Sequence, residues 1–238
     1  MRLAGQKAAV VGGTGSFSLA IARAVLDAEG EVVIGSPSPD RLLKAVETLG
    51  TGATGAEIDV NDDASVSRFL AGAGDVHHIA MAVGGPVRAR GLAPVEDVKA
   101  VFETRFWGQY RVARAAAEKL PSMRSVTFVS GATSKRPLYG ALLGAVLNGA
   151  VDGLTRAMAV QLAPIRVNSV APSVIDSNQL KMMPDEARKA FFGKVAAEVP
   201  AGRVGVPEDI AKAFLFLMDH GYMTGSTIFV DGGALLKA

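Results

Sequence analysis

The sequence predicts an α/β protein built on a doubly wound sheet of about seven parallel strands with helices on both faces. Three observations carry that prediction. Short apolar, β-branched runs alternate with longer stretches of helical period, the pattern of a parallel sheet covered on both sides. The 238 residues are 49% hydrophobic and 20% charged, which gives enough apolar surface for one sizeable core. Neither a repeat nor a linker divides the chain, so residues 1–238 are expected to form a single domain.

Strands are expected at Ala8–Val11, Val32–Gly35, Gly55–Asp59, Val76–Met81, Val126–Ser130, Arg166–Val170 and Thr227–Val230. Between them the helix ends are readable. Ser38 before Pro39 and Asp40 reads as an N-cap with Pro at the first helical position, and Gly50 closes that helix. Asp62 and Asp63 open the next. A long helix is expected from about Val98 to Leu120, stopped by Pro121, and another from about Leu142 to Ala163, stopped by Pro164. Pro207-Glu208-Asp209 opens the last. The largest insertion, Ser173 to Gly202, holds a short helix near Asp185–Glu198.

Composition excludes several functions. Lys and Arg number 25 against 23 Asp and Glu, a net charge of +2, and Arg88, Arg90, Arg111 and Arg114 are scattered without interleaved aromatics, so no nucleic-acid partner is expected. The absence of Cys removes disulfides, thiolate zinc sites and a Cys nucleophile, and points to a reducing, cytoplasmic compartment. Of the three His, His77 and His78 are adjacent on a strand and should face opposite ways, so with His220 they suggest no metal site. The longest uncharged run, Pro137 to Val151, falls short of the roughly 20 apolar residues of a membrane span. The apolar stretch after Lys7 is interrupted by Gly12-Gly13-Thr14-Gly15, which argues against a signal peptide.

That glycine run lies between the first strand and the first helix. A tight turn there lets backbone amides and a helix N-terminus meet a diphosphate, so Gly12, Thr14, Gly15, Ser16 and Phe17 are candidate ligands of a dinucleotide. Asp59 and Val60 close the third strand, where a carboxylate can accept from an adenine amino group or serve as an ordinary cap. At the end of the second strand an acidic residue would mark NAD. Instead the chain has Gly35, Ser36, Pro37 and Ser38, with Arg41 one turn on, which suits a 2′-phosphate and favours NADP(H) over NAD(H).

With these motifs the chain resembles the short-chain dehydrogenase/reductase superfamily from end to end. The matching segments are the Gly loop, Asp59-Val60, Gly153-Leu154-Thr155-Arg156-Ala157-Met158-Ala159 and Ile165-Arg166-Val167-Asn168-Ser169-Val170-Ala171-Pro172. The tail is the most specific: Gly202-Arg203-Val204-Gly205, Pro207-Glu208-Asp209-Ile210-Ala211, Thr224-Gly225 and Val230-Asp231-Gly232-Gly233. The resemblance implies a Rossmann-like fold, NAD(P)-dependent reduction of a carbonyl or oxidation of an alcohol, and a homo-oligomer, dimer or tetramer, packed through the helix carrying Phe106, Trp107 and Tyr110. It also implies cofactor contacts at Ala82, which stands in the family's Asn-Asn-Ala-Gly segment, and at Pro172, Val174 and Asn148.

The family's usual machinery is a Tyr acid/base, a Lys four residues later, a Ser that orients the carbonyl and an Asn on the preceding long helix. Registered on the matching segments, those positions here hold Gly144, Asn148, Gly131 and Arg105. Substitutes must lie nearby. Tyr139 is the only phenol in this part of the chain and either reaches the cleft or packs a helix start with its hydroxyl in water. Ser130 and Ser134 flank the vacated Ser position, as carbonyl ligands or as simple caps. Arg105 offers a positive fork to a carboxylate or oxyanion, or else pairs with Glu103. Met182, Met183, Phe191 and Phe192 would line a partly apolar pocket for a small-molecule substrate, or pack a core or subunit contact. Two functions follow: an NADP-dependent oxidoreductase with relocated acid/base groups, or a nucleotide-binding protein without redox turnover that serves as a regulatory or assembly subunit, or as a lyase or isomerase.

Overall fold

In the computed structural model, residues 1–83, 91–178, 180 and 183–236 are described. The strands are β1 (Lys7–Val11), β2 (Glu31–Ser36), β3 (Ala53–Glu57), β4 (His78–Met81), β5 (Ser125–Val129), β6 (Arg166–Pro172) and β7 (Thr227–Val230). They form one seven-stranded sheet in the order β3-β2-β1-β4-β5-β6-β7, with every pairing parallel. The order reverses between β1 and β4, and a doubly wound sheet binds its ligand in the crevice at such a switch.

The helices are α1 (Ser16–Asp27), α2 (Pro39–Leu49), α3 (Asp63–Gly72), α4 (Val95–Phe102), α5 (Gly108–Lys119), α6 (Leu142–Gln161), α7 (Asp185–Glu198) and α8 (Pro207–Asp219). Two apolar clusters bury the two faces of the sheet. On one, Val33, Ile79, Met81 and Phe128 meet Phe69 of α3, Val112 of α5 and Val151 of α6; on the other, Val10, Ile34 and Val170 meet Ile21 of α1, Leu42 of α2 and Phe214 of α8. Strands buried on both faces need the continuous apolar runs from which they were read.

The ends explain themselves locally. Asp62 caps α3, its carboxylate accepting from the Ala64 amide at 2.9 Å. Gly50 closes α2 with φ +77, a conformation that glycine adopts without cost. Ser38 holds the N-cap position of α2, but its side chain makes no capping bond.

Most boundaries shift by a residue or two from expectation, and three of the shifts bear on the site. The third strand stops at Glu57 rather than Asp59, because the Asp59 carboxylate accepts from the Asn61 amide and its own amide donates to Ser65 Oγ, turning the chain toward α3. The fifth ends at Val129, one residue before Ser130. The long helix begins at Val95, just after Pro94, and is split by a π-helical turn over Glu103–Trp107. There the wider winding exposes the Arg105 carbonyl, which the Gln109 side-chain amide caps.

Candidate active site

The C-terminal ends of β1, β2, β4, β5 and β6 open into a cleft of ≈1510 Å³. That exceeds the roughly 300–1,000 Å³ of an ordinary small-molecule site, leaving room for a dinucleotide and a second molecule.

The β1–α1 turn forms one end. Gly12 has φ +139, and a Cβ there would stand 2.3 Å from the Ala82 carbonyl, so only glycine lets β1 and the end of β4 approach this closely. The Gly12 and Gly13 amides are spent on the Gly35 carbonyl, at 3.3 and 2.9 Å. The donors left for a ligand are therefore the first-turn amides from Gly15 to Ser18, since Leu19 makes the first backbone bond to Gly15 O. No side chain caps α1 and no carboxylate lies in its first turn, so its positive end faces the cleft unneutralised. Ser18 Oγ is buried beside it without a partner. Together these features form a cradle that fits a diphosphate. Ser16 Oγ is otherwise engaged, accepting from the Asn178 amide at 2.9 Å, and so ties the segment after β6 to the turn.

Along the wall stand Ser36, Ser38 and Arg41, then Asp59 and Val60, then Ala82, all lining the cleft. No carboxylate is paired with Arg41 among the described residues, and Ser38, free of capping duty, points nothing at its own helix. Thr14, Phe17, Pro172 and Val174 also line the cleft, which brings every cofactor residue expected from the sequence into one site.

At the far end lie Arg105, Ser130, Gly131, Thr133 and Asn148. Ser130 Oγ is 2.6 Å from Asp152 Oδ1 and 3.1 Å from the Asn148 carbonyl. Its single proton goes to the carboxylate, the nearer and stronger acceptor. The same oxygen of Asp152, which is buried, accepts from Thr227 Oγ1 at 3.3 Å, and Thr227 lies 2.8 Å from Ser169 Oγ. Asn148 Nδ2 donates to Thr133 Oγ1 at 2.8 Å. A Cβ on Gly131 would come within 2.3 Å of that same amide nitrogen, so the bare glycine is what seats Asn148 against Thr133. Gly144 lies one turn before Asn148 on α6 and does not line the cleft.

Other sequence candidates lie elsewhere. Tyr139 is fully exposed, at 109% of its reference area, and does not line the cleft, although its neighbour Leu138 does. Ser134 Oγ is buried without a partner, in a 3₁₀ turn over Ala132–Ser134, and is not part of the lining. Phe191 joins the cleft whereas Phe192 and Met183 do not; Met182 lies outside the described residues. Sequence reasoning missed Thr133 and Asp152. Only Asp152 left a trace, as the one acidic residue of α6, a turn after Asn148 on its buried side.

A family model described as Enoyl-(Acyl carrier protein) reductase matches residues 12–234. The chain belongs to the short-chain dehydrogenase/reductase superfamily. Its relatives there include the 3-oxoacyl-[acyl-carrier-protein] reductase FabG of Pseudomonas aeruginosa, 30% identical with 100% of both chains covered. Among solved structures, the MalC Reductase/Diels-Alderase of Malbranchea aurantiaca superposes with a TM-score of 0.91 at 27% identity, covering 99% of this chain and 97% of that one. A small-chain dehydrogenase in complex with NADPH superposes with a TM-score of 0.80 at 28% identity, covering 98% and 99%. The superfamily is one of oxidoreductases that use a nicotinamide cofactor, and this chain carries its Rossmann-like sheet.

Proposed function

We propose that the protein is an NADP-dependent oxidoreductase that reduces a carbonyl or imine, or oxidises the corresponding alcohol, with an active site that departs from the family's usual set. The single observation that carries this reading is the continuity of the cleft. An uncapped helix end and glycine cradle at one end lead without a break to a cluster of hydroxyl and amide groups at the other.

The amides of Gly15 to Ser18 would hold the diphosphate, Ser36, Ser38 and Arg41 the 2′-phosphate, Asp59 the adenine amino group, and Val60 and Ala82 the adenosine wall. Pro172 and Val174 flank the nicotinamide end, and the free N–H of Asn148 is available to a ribose hydroxyl. When bound, NADP(H) supplies or accepts a hydride. The protein's own part is positioning and proton supply. Thr133 Oγ1 receives a bond from Asn148, which leaves its own proton free to donate to a carbonyl oxygen or imine nitrogen in the cleft. Ser130 spends its proton on Asp152 and therefore offers a substrate only lone pairs. No Tyr or His lines the cleft among the described residues. A positioned general acid is worth about 10²–10⁴ in rate, so turnover should be slow by about that factor.

The protein is further read as a cytoplasmic homo-oligomer, a dimer or tetramer, on the support of Trp107 and Tyr110, which stack edge to face at 6.0 Å on the exposed side of the split helix. Purified protein mixed with NADPH and a panel of aldehydes, ketones and imines tests the reading by loss of NADPH absorbance. Turnover that falls at least tenfold in Thr133→Val supports it, and failure to bind NADPH removes it. A second reading, a cofactor-binding protein that performs no redox step, is favoured by the absence of a phenol from the described lining. It also draws on MalC, named as both a reductase and a Diels–Alderase. Tight NADPH binding with no turnover on the whole panel selects it.

A further inference from the structure

The functional reading leaves one group in the cleft without a task. Arg105 sits in the π-helical turn between α4 and α5, packed toward α6 and lining the cleft that Asn148 and Thr133 also line. Its natural partner by sequence, Glu103, is taken: that carboxylate is bound by Arg111, eight residues on. No other acidic side chain pairs with Arg105 among the described residues, and the residues outside them include no Asp or Glu. Burial pushes its pKa below the ordinary arginine value, the mark of a guanidinium taken from water without a compensating anion.

An arginine stays charged under such conditions, so a part-buried guanidinium that lacks a carboxylate partner is open to completion by a ligand's anion. The remaining charge of the cleft leans the same way. Its described lining holds Arg41, Arg136 and Lys194 besides Arg105, against Asp59 and Glu198. Arg41 lies toward the nucleotide end, Arg136 donates to the Ala234 carbonyl and Lys194 stands on α7, whereas Arg105 belongs to the turn that packs toward the α6 of Asn148, beside the hydroxyl cluster. The wall at α7 carries an apolar strip of Phe191, Val195 and Val199 between Lys194 and Glu198, and Leu138, before α6, adds to the apolar lining.

We infer that the substrate is a small, partly apolar carboxylate, whose anionic group is held in the planar fork of Arg105 while its apolar body lies against α7 and its reacting group reaches Thr133. Carboxylates match the guanidinium bidentately, and such a pair orients the ligand as well as binding it. This deepens the oxidoreductase reading and rests on the cleft being the substrate site.

The test titrates full-length protein, with and without saturating NADPH, with benzoate, phenylacetate and hexanoate and with the methyl ester of each, by calorimetry. At least one acid should bind about 10- to 100-fold more tightly than its ester, the range expected of a charge-assisted hydrogen-bonded pair, and weaken as salt is raised. Arg105→Gln should abolish the preference for the acid, Arg105→Lys should recover part of it, and both should leave the NADPH dissociation constant within about twofold. The inference is overturned if acids and esters bind wild-type protein alike, or if neither binds, a comparison that needs no variant to fold. It is overturned also if Arg105→Gln weakens NADPH and not the acid, which would assign the guanidinium to the cofactor. Selective acid binding without any NADPH binding would keep the anion site and remove the oxidoreductase reading; NADPH binding without acid selectivity would do the reverse.

Discussion

Acidification should destabilise this protein in a window set by one buried histidine. His78 is 1% exposed on β4, its Nε2 2.9 Å from the Gln6 side-chain carbonyl and its Nδ1 2.8 Å from Ser125 Oγ. The carbonyl can only accept, so Nε2 carries the proton and Nδ1 takes the serine's: the ring is neutral and both nitrogens are satisfied. Burial, with Arg166, His77 and Arg124 as smaller contributors, pushes its pKa from 6.5 to about 3. The folded protein thus keeps the ring neutral until about pH 3, whereas the unfolded chain takes up a proton near 6.5. Below 6.5 the unfolded state binds more protons, so stability falls as pH drops through this window and is level above it. Between about pH 7 and about pH 5 the difference amounts to about 2 kcal/mol. Urea unfolding at those two pH values measures it, with His78→Gln as the control that cannot titrate. If wild type and variant lose the same stability over the interval, some other group titrates and the assignment to His78 fails.

The remaining predictions concern the cleft and what supports it. Gly12→Ala drives a Cβ into the Ala82 backbone at φ +139, and should cost about 3 kcal/mol or more in unfolding free energy and abolish NADPH binding in a fluorescence titration. Arg41→Ala should raise the NADPH dissociation constant about tenfold while leaving that of NADH within about twofold; equal losses for both cofactors would refute a 2′-phosphate role. Asp152→Ala strips the acceptor from Ser130 and Thr227 in the core and should cost about 1–3 kcal/mol by urea unfolding, most of it recovered in Asp152→Asn.

How much of this was legible in the sequence follows from the reach of the signals. Strands such as Thr227–Val230 and the short helix Asp185–Glu198 fall where expected, because apolar runs, caps and prolines act within one or two turns. Asp59 was misplaced as the last residue of β3 for the same reason in reverse: the bonds that turn the chain there, to Asn61 and Ser65, compete with the strand from only a few residues away. The π turn left no mark. It widens a helix by one residue inside a stretch whose period stays helical to the eye, and the side chain that stabilises it, Gln109, is an ordinary helix former.

The end proposed for the cofactor was legible in outline because the backbone amides that would grip a diphosphate are exposed by glycines and a helix start adjacent in sequence. The end proposed for catalysis is made of contacts between residues far apart. Ser130 meets Asp152 across 22 residues, and Asp152 meets Thr227 across 75. Proximity along the chain pointed instead to Tyr139, five residues before Gly144, which the fold turns out to solvent. Arg105 shows where the two kinds of evidence must meet. Sequence left two uses open for its charge, pairing with Glu103 or meeting an anion; the structure closes the first by giving Glu103 to Arg111. A cation held in a cleft by a π turn, with its nearest acid already engaged, is then a statement about the ligand rather than about the protein.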